Sequence, residues 1–432
     1  MTSARRRPAP GVFFRAVAIL AGGTAIGQAV SIAASPILSR VFRPDEFGVL
    51  AVYVATLGIA TTIGSLRLEQ AIGLPRSQQE AFAVLVAAVL TSGIFALVVG
   101  VPAVMFPTWI FRGDDVTVPA LVAWLLPVGV VFGCAYQALS VWALRTKAVK
   151  PLAATRIAQG VGTAAAQIGA GLLGLGAVGL TAGHALGQSI GAGALISRTV
   201  RGTGLRRPLV PEVRASLGRY RRFPLLATPA ALLNSTAQQV PIFLLAPAFG
   251  AAVAGMYFFS VRITMAPLDI IGRSIGQVFY AEAIAYGQER PAALRRLVLA
   301  TSAKSFLLGL VPGLVIACLA PVLFRAIFGN EWSEAGEFSQ VMAIMLIANF
   351  AVSPISQIFL IVERQHYSVV LNILKLLTAA SSMLVPISLG LGATKALLVY
   401  SCAMAGYYLF ILLVALMMLS AMTGRIRTPE VQ

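Results

Sequence analysis

Arg262, Asp269 and Arg273 fall inside one apolar stretch of this chain, seven and then four residues apart. At about 100° per residue, a helix returns all three to one stripe, within roughly 40° of each other. Asp269 is placed to pair with Arg273 at i,i+4. One carboxylate between two guanidiniums leaves a net positive face. In a hydrocarbon setting an ionised side chain costs about 2.5–3.5 kcal/mol even on a lenient insertion scale, so each must face a polar cavity or a partner. The planar fork of arginine donates two parallel hydrogen bonds and suits phosphate. The stripe therefore points to binding of an anion.

Other polar residues join it. Arg67 and Glu69 close the second apolar stretch, and Gln28 and Asn234 give the first and seventh stretches polar faces. Arg156, Lys304 and Lys375 are further cations within or just below apolar stretches. The candidate substrate-binding set is Arg67, Arg262, Asp269, Arg273, Gln28 and Asn234. The intramembrane carboxylates available to carry H⁺ or Na⁺ are Asp269, Glu69 and Glu282. For Arg67, Arg156, Glu282 and Lys304, which lie near one end of their stretches, snorkelling to headgroups is the competing explanation.

The elements that must hold these residues are twelve apolar stretches, near 12–39, 47–72, 81–105, 119–144, 151–174, 177–199, 222–247, 252–282, 298–324, 337–361, 366–389 and 394–420. Each is longer than the roughly 20 residues that span a bilayer. Helices satisfy their own backbone in lipid, so the expected fold is an all-α integral membrane protein with twelve transmembrane helices. Charged residues are only 11% of the 432.

A net charge of +18 is of the kind that binds nucleic acid, but its placement argues for membrane topology instead. With the N-terminus inside, 22 Lys and Arg fall on one face, among them Arg5, Arg6, Arg7, Arg145, Arg206, Arg207, Arg290, Arg295 and Arg296. Five fall on the other: Arg40, Arg43, Arg112, Arg325 and Lys395. This asymmetry places both termini in the cytoplasm. The basic segment 200–221, including Arg201, Arg214, Arg219 and Arg221, is the longest one outside the membrane. Within it, Pro211 to Phe223 can form an amphipathic helix against anionic lipids, or serve as a linker that only fixes topology.

The linker divides the chain into six stretches and six. Ser35-Pro36-Ile37-Leu38 is answered by Val240-Pro241-Ile242-Phe243, Gly48 by Gly255, and Gln28 by Asn234. Leu173-Gly-Leu-Gly-Ala177 recurs as Leu389-Gly-Leu-Gly-Ala393, each time between the last two stretches of a half. An even number of spans per half makes this a parallel repeat, a recurring plan of secondary transporters. The expected division is a lobe at 1–199, a linker at 200–221 and a lobe at 222–432. Gly183, Gly187 and Gly191 form a small-residue ridge for close packing in the sixth stretch.

The chain has no G-x-x-x-x-G-K-[ST] and no H-E-x-x-H, and its two histidines and three cysteines show no metal-ligand spacing. Neither a metal nor another cofactor is expected.

Arg40-Val-Phe-Arg-Pro-Asp-Glu-Phe-Gly48 resembles a phrase of bacterial polysaccharide-export flippases, between their first and second helices. Leu66-Arg-Leu-Glu-Gln-Ala-Ile-Gly-Leu-Pro75 is similar to the phrase that closes their second helix, with Leu68 in place of the usual aromatic residue. These proteins belong to the multidrug/oligosaccharidyl-lipid/polysaccharide superfamily. The resemblance implies a MATE-like bundle of two six-helix lobes in the bacterial cytoplasmic membrane. It also implies a polyprenyl-diphosphate-linked oligosaccharide as substrate, moved from the cytoplasmic to the outer leaflet for surface polysaccharide of the O-antigen or lipopolysaccharide kind. Glycan polymerase and export machinery are the implied protein partners. Arg40, Arg67 and Glu69 carry over with their phrases; the stripe at 262–273 matches no family phrase and rests on physics. The alternatives are an ion-coupled multidrug exporter of the same superfamily, or a membrane glycan polymerase or glycosyltransferase.

The charge asymmetry makes a direct prediction. Green fluorescent protein fused after Gln432 fluoresces, whereas alkaline phosphatase fused there is inactive; the opposite pair of results overturns the assigned orientation.

Overall fold

The computed structural model describes residues 10–105, 120–200, 204–287 and 289–427. Arg5, Arg6, Arg7, Arg112 and Arg201 lie outside the described residues. Twelve long helices account for the apolar stretches: α1 (Pro10–Ala33), α2 (Pro44–Gly64), α3 (Gln78–Met105), α4 (Ala120–Arg145), α5 (Val149–Leu172), α6 (Gly176–Leu195), α7 (Thr228–Phe249), α8 (Ala251–Tyr286), α9 (Pro291–Phe328), α10 (Ser333–Val352), α11 (Gln365–Ser388) and α12 (Ala393–Arg427). No strand occurs among the described residues. Nine apolar helical segments there are long and hydrophobic enough to cross a membrane. The three that fall short are α5, α6 and α7, where Gly, Ala, Gln, Ser and Thr displace larger apolar residues.

The internal repeat is written in the backbone as well as in the sequence. Lys147 (φ 59°) before α5 and Glu363 (φ 57°) before α11 are both left-handed, 216 positions apart. Each turn closes with the same pair of bonds: Lys147 N to Leu144 O and Ala148 N to Ala143 O, against Glu363 N to Leu360 O and Arg364 N to Phe359 O. The next turn repeats the device at the same offset. Gly174 (φ 68°) and Gly390 (φ 71°) end α5 and α11. Leu175 N bonds Ala170 O as Leu391 N bonds Pro386 O. Left-handed residues past a helix end satisfy the last carbonyls, and glycine adopts that geometry without steric cost. The Leu-Gly-Leu-Gly-Ala phrase is thus a helix stop used twice.

The residues cluster into two compact units. Unit 1 holds the chain to Ala34 with Ala60–Met105 and Ala120–Thr228; unit 2 holds Ser35–Ile59 and the chain from Pro229. The boundaries fall after Ala34, inside α2 after Ile59, and at the start of α7 after Thr228, just past the linker.

In unit 1, α1 and α5 cross at backbone contact. A Cβ on Gly27 would lie 2.5 Å from the Arg156 carbonyl oxygen, and one on Gly160 would meet the Gly27 carbonyl. The glycine ridge of α6 packs on α5 in the same way, Gly183 against Gln167, Gly187 against Thr163 and Gly191 against Gln159. Such ridges let helices approach where lipid offers no hydrophobic drive to associate. The linker contains a helix, Val210–Arg219, whose Ser216 is buried. Arg219 pairs with Glu80 at the start of α3, and Gln79 donates to the Arg206 carbonyl. The Leu209 backbone N–H and Arg206 hold the Glu212 carboxyl below its ordinary pKa.

In unit 2, the start of α2 meets the start of α8 reciprocally. A Cβ on Gly48 would strike the Ala251 carbonyl, and one on Gly255 would strike the Pro44 carbonyl. Both pairs are related by an offset of 207. Beside this contact, Phe47, Phe259, Phe324, Phe328 and Trp332 pack ring to ring, and the Trp332 indole donates to the Ser39 carbonyl at 2.9 Å. Aromatic edge-to-face packing with a satisfied indole makes a rigid cluster.

The α1–α5 crossing supplies a test. Gly160→Leu forces the two backbones apart and should cost about 1–3 kcal/mol or more. Gly169→Ala in the same helix has open space around its Cβ and should leave stability unchanged. Thermal unfolding in detergent reads the difference; equal melting temperatures for both variants and wild type would refute the contact.

Candidate functional site

The stripe expected on the eighth span lies on α8, a helix of 36 residues that runs unbroken past all three residues. Asp269 and Arg273 approach to 4.0 Å, with side chains 50% and 76% exposed. They open on a cavity of about 650 Å³ within unit 2. Arg262, Asp269 and Arg273 line it from α8, Asn234 and Gln238 from α7, Asn349 from α10, and Asn372 and Lys375 from α11. Of the expected binding residues, Arg262, Asp269, Arg273 and Asn234 therefore meet at one site.

Lys375 completes it. Its Nζ donates to Asn234 Oδ1 at 3.0 Å, joining α11 to α7. Asn372, one turn earlier, donates to the Ala230 carbonyl at 3.5 Å. Three cations and one carboxylate thus line the cavity, with amides between them, and the balance favours an anion. A volume of this order accommodates a small ligand or the head of a larger one.

Aromatic residues also line it: Tyr257 and Phe258 from α8, and Tyr400, Tyr407 and Tyr408 from α12. Sequence reasoning passed over these tyrosines. The Tyr407 hydroxyl donates to the Leu371 carbonyl at 3.0 Å, and its ring meets Tyr408 edge to face at 5.6 Å. The repeat shows why unit 2 has this cavity. At the 216-residue offset, His184, Gly191 and Ala192 of α6 stand where α12 has Tyr400, Tyr407 and Tyr408. In unit 1 glycine lets α5 and α6 close together; in unit 2 large rings hold α11 and α12 apart. Helix packing distance follows the side chains at the contact.

The remaining expected residues sit elsewhere. Arg67 and Glu69 are in unit 1, where α2 ends at Gly64 and two left-handed residues follow, Leu66 (φ 51°) and Arg67 (φ 56°). Glu69 is buried, accepts from Ser65 Oγ at 2.6 Å and pairs with Arg67 at 3.4 Å. Beyond it, the Arg145 guanidinium donates to the carbonyls of Ile72, Gly73, Pro75 and Ser77, satisfying a chain reversal that lacks helical bonds. Arg67 and Arg273 correspond in the repeat but not in backbone, the one at a helix break and the other within a helix. Gln28 is half-buried on α1, next to the Gly27 crossing. Arg156 bonds the Thr24 hydroxyl on α1, a contact that matches Asn372 with Ala230 in unit 2. Glu282 is exposed on α8 and is not among the residues lining the cavity.

Helix length and composition are those of an α-helical integral membrane protein, and comparison with known proteins agrees. The family described as polysaccharide biosynthesis protein matches residues 37–337, and the chain belongs to that family. A lipid II flippase, MurJ, in an inward closed conformation is similar in structure, with a TM-score of 0.71 at 11% identity over 92% of this chain and 91% of that one. A MOP superfamily transporter from Pyrococcus furiosus has a TM-score of 0.59 at 16% identity, over 97% of this chain and 100% of that one. A MATE transporter in complex with MaL6 has a TM-score of 0.58 at 16% identity, over 95% and 97%. No curated protein matches the chain. The fold resembles that of these structures, an all-α membrane bundle built here from twelve long helices among the described residues.

The two carboxylates predict different stabilities. Glu69→Ala removes a buried, paired charge and should cost about 3–5 kcal/mol. Asp269→Ala removes a half-exposed one and should cost under about 1 kcal/mol. Chemical denaturation in detergent checks this, and a larger loss for Asp269→Ala would contradict the assignment of Glu69 to structure.

Proposed function

We propose that this chain is a flippase that turns a polyprenyl-diphosphate-linked oligosaccharide from the cytoplasmic to the outer leaflet, for surface polysaccharide synthesis. The observation that carries the reading is the unit 2 cavity, where Arg262, Arg273 and Lys375 outnumber Asp269. Fixed cations with low-dielectric walls concentrate anions and repel organic cations, which favours a diphosphate over the substrates of a multidrug exporter. Membership of the polysaccharide biosynthesis family and likeness to a lipid II flippase support the same class.

The protein sits in the bacterial cytoplasmic membrane with both termini inside, and its lobes, 1–199 and 222–432, expose the site to each leaflet in turn. The diphosphate displaces Asp269 and Asn234 as partner of the cations while the polyprenyl tail stays in lipid. Substrate supply, or an H⁺ or Na⁺ gradient acting through Asp269, drives the cycle. Glu69 is engaged by Ser65 and Arg67 and Glu282 lies away from the cavity, so Asp269 is the carboxylate placed to sense the ligand.

The test is leaflet-resolved translocation of a fluorescent polyprenyl-diphosphate oligosaccharide in proteoliposomes. Wild type should move it. Arg262→Ala and Arg273→Ala should each slow movement by roughly 10- to 100-fold, the range for losing a charged hydrogen bond. Failure of the wild type with the host's own glycan, or efflux of organic cations instead, would overturn the reading; full activity of both variants would refute the site.

A further inference from the structure

Between the end of α6 and the start of α7, the linker helix Val210–Arg219 docks on unit 1 through its polar side. At about 100° per residue, Glu212, Ser216 and Arg219 fall within roughly 60° of one another. With Ser77, Gln79 and Glu80 at the start of α3, they line a crevice of about 310 Å³. Arg219 pairs there with Glu80, and Arg206 with Glu212. Leu205, Leu217 and Phe223 fill the apolar part of the joint, packed on the core of unit 1. The remaining face consists of Val210, Pro211, Arg214 and Gly218, within roughly 100° of one another. All four are exposed. This face holds no polar residue besides Arg214, whereas a helix face turned to water is normally polar and charged. Val210 is 80% exposed, and Leu209 before it and Leu225 and Leu226 at the entry to α7 are exposed as well.

Charge points the same way. Residues 204–227 hold six arginines and one carboxylate, Glu212. Arg206 and Arg219 are engaged in the pairs that dock the helix. Arg207, Arg214, Arg221 and Arg222 are exposed and form no ion pair among the described residues. The segment lies where two spans end, on the side that the charge asymmetry assigns to the cytoplasm. A short helix with exposed apolar groups and free guanidiniums at that level has the make-up of an element lying in the headgroup region. Its apolar groups reach the upper acyl carbons, and its arginines meet lipid phosphates.

We propose that segment 207–226 is a docking surface for the anionic phospholipid of the inner leaflet. Arg207, Arg214, Arg221 and Arg222 take the headgroup phosphates, and Leu209, Val210, Leu225 and Leu226 enter the acyl boundary. The pairs Arg219–Glu80 and Arg206–Glu212 keep the polar side of the helix on the protein, so that the apolar side meets the bilayer. The surface belongs to unit 1 and does not depend on the substrate proposed for the unit 2 cavity.

The test uses the full chain with Cys318→Ala and Cys402→Ala, which leaves only the buried Cys134, and a fluorophore on Val210→Cys. The protein is placed in nanodiscs of phosphatidylcholine, or of equal parts phosphatidylcholine and phosphatidylglycerol, with brominated acyl chains that quench on contact. Quenching should be roughly threefold or more stronger with phosphatidylglycerol, and high salt should remove the excess. The triple variant Arg214→Gln/Arg221→Gln/Arg222→Gln should remove it too, while Arg219 keeps the helix docked on Glu80. Arg214→Gln alone, which leaves most of the linker charge in place, should remove part of it. Equal quenching in the two lipids would reduce the surface to an apolar contact and overturn the assignment to anionic lipid. No quenching in either, with the unlabelled Val210→Cys thiol open to a water-soluble maleimide, would place the face in water and overturn the surface itself. No quenching in nanodiscs but a thiol shielded in native membranes would give the face to a protein partner and overturn it equally.

Discussion

A guanidinium inside a lipid-embedded bundle must meet water, a counter-charge or a ligand, because hydrocarbon offers it nothing. Unit 2 answers this constraint for Arg262, Arg273 and Lys375 with a single cavity, and much else in the unit follows from keeping that cavity open. Amides on α7, α10 and α11 supply acceptors and donors between the charges. Asp269 supplies part of the counter-charge, at 4.0 Å from Arg273. Three cations line the cavity against one carboxylate, and an anionic ligand balances that charge. The cost of placing cations within a membrane span and the function proposed for them go together.

The repeat provides the frame, and its divergence provides the site. Both halves end their fifth spans with the same left-handed glycine turn and begin them with the same left-handed residue. Between those matched turns the packing differs. Glycines at 183, 187 and 191 bring α6 onto α5, and tyrosines at 400, 407 and 408 stand α12 off α11. A duplicated scaffold thus acquires one closed pair of helices, α5 with α6, and one open pair, α11 with α12, through the side chains between them. Close packing without lipid-driven association needs small residues, and a polar hollow needs large amphipathic ones.

Much of the fold was legible because lipid imposes simple rules. Apolar length marked the spans, and the Leu-Gly-Leu-Gly-Ala phrase marked the repeat because glycine is specific to its backbone geometry. The Arg262, Asp269 and Arg273 stripe was readable from helical periodicity, since all three lie on one uninterrupted helix. Lys375 was visible as a cation but not as a partner of Asn234, 141 residues away, because no local pattern encodes a contact between distant spans. The lining tyrosines were missed for a related reason: among apolar residues, a tyrosine looks the same in sequence whether it packs in a core or lines a cavity. The break after Gly64 was hidden as well. It is built from Leu66 and Arg67 in left-handed geometry, held by the buried Glu69 and the carbonyl clamp of Arg145 rather than by glycine or proline. Arg67 and Glu69, expected in the substrate-binding and ion-coupling sets, pair at a helix break, where Glu69 is buried and Arg67 partly so.

The central claim is that the anion sits among the cations of unit 2. Photocrosslinking tests it most directly, using polyprenyl diphosphate with a photoreactive group beside the phosphates and mapping the adducts by mass spectrometry. The account predicts adducts on α8 between Arg262 and Arg273 and on α11 near Asn372 and Lys375, all suppressed by excess unlabelled lipid. Competable adducts confined to unit 1 or to the linker would contradict it.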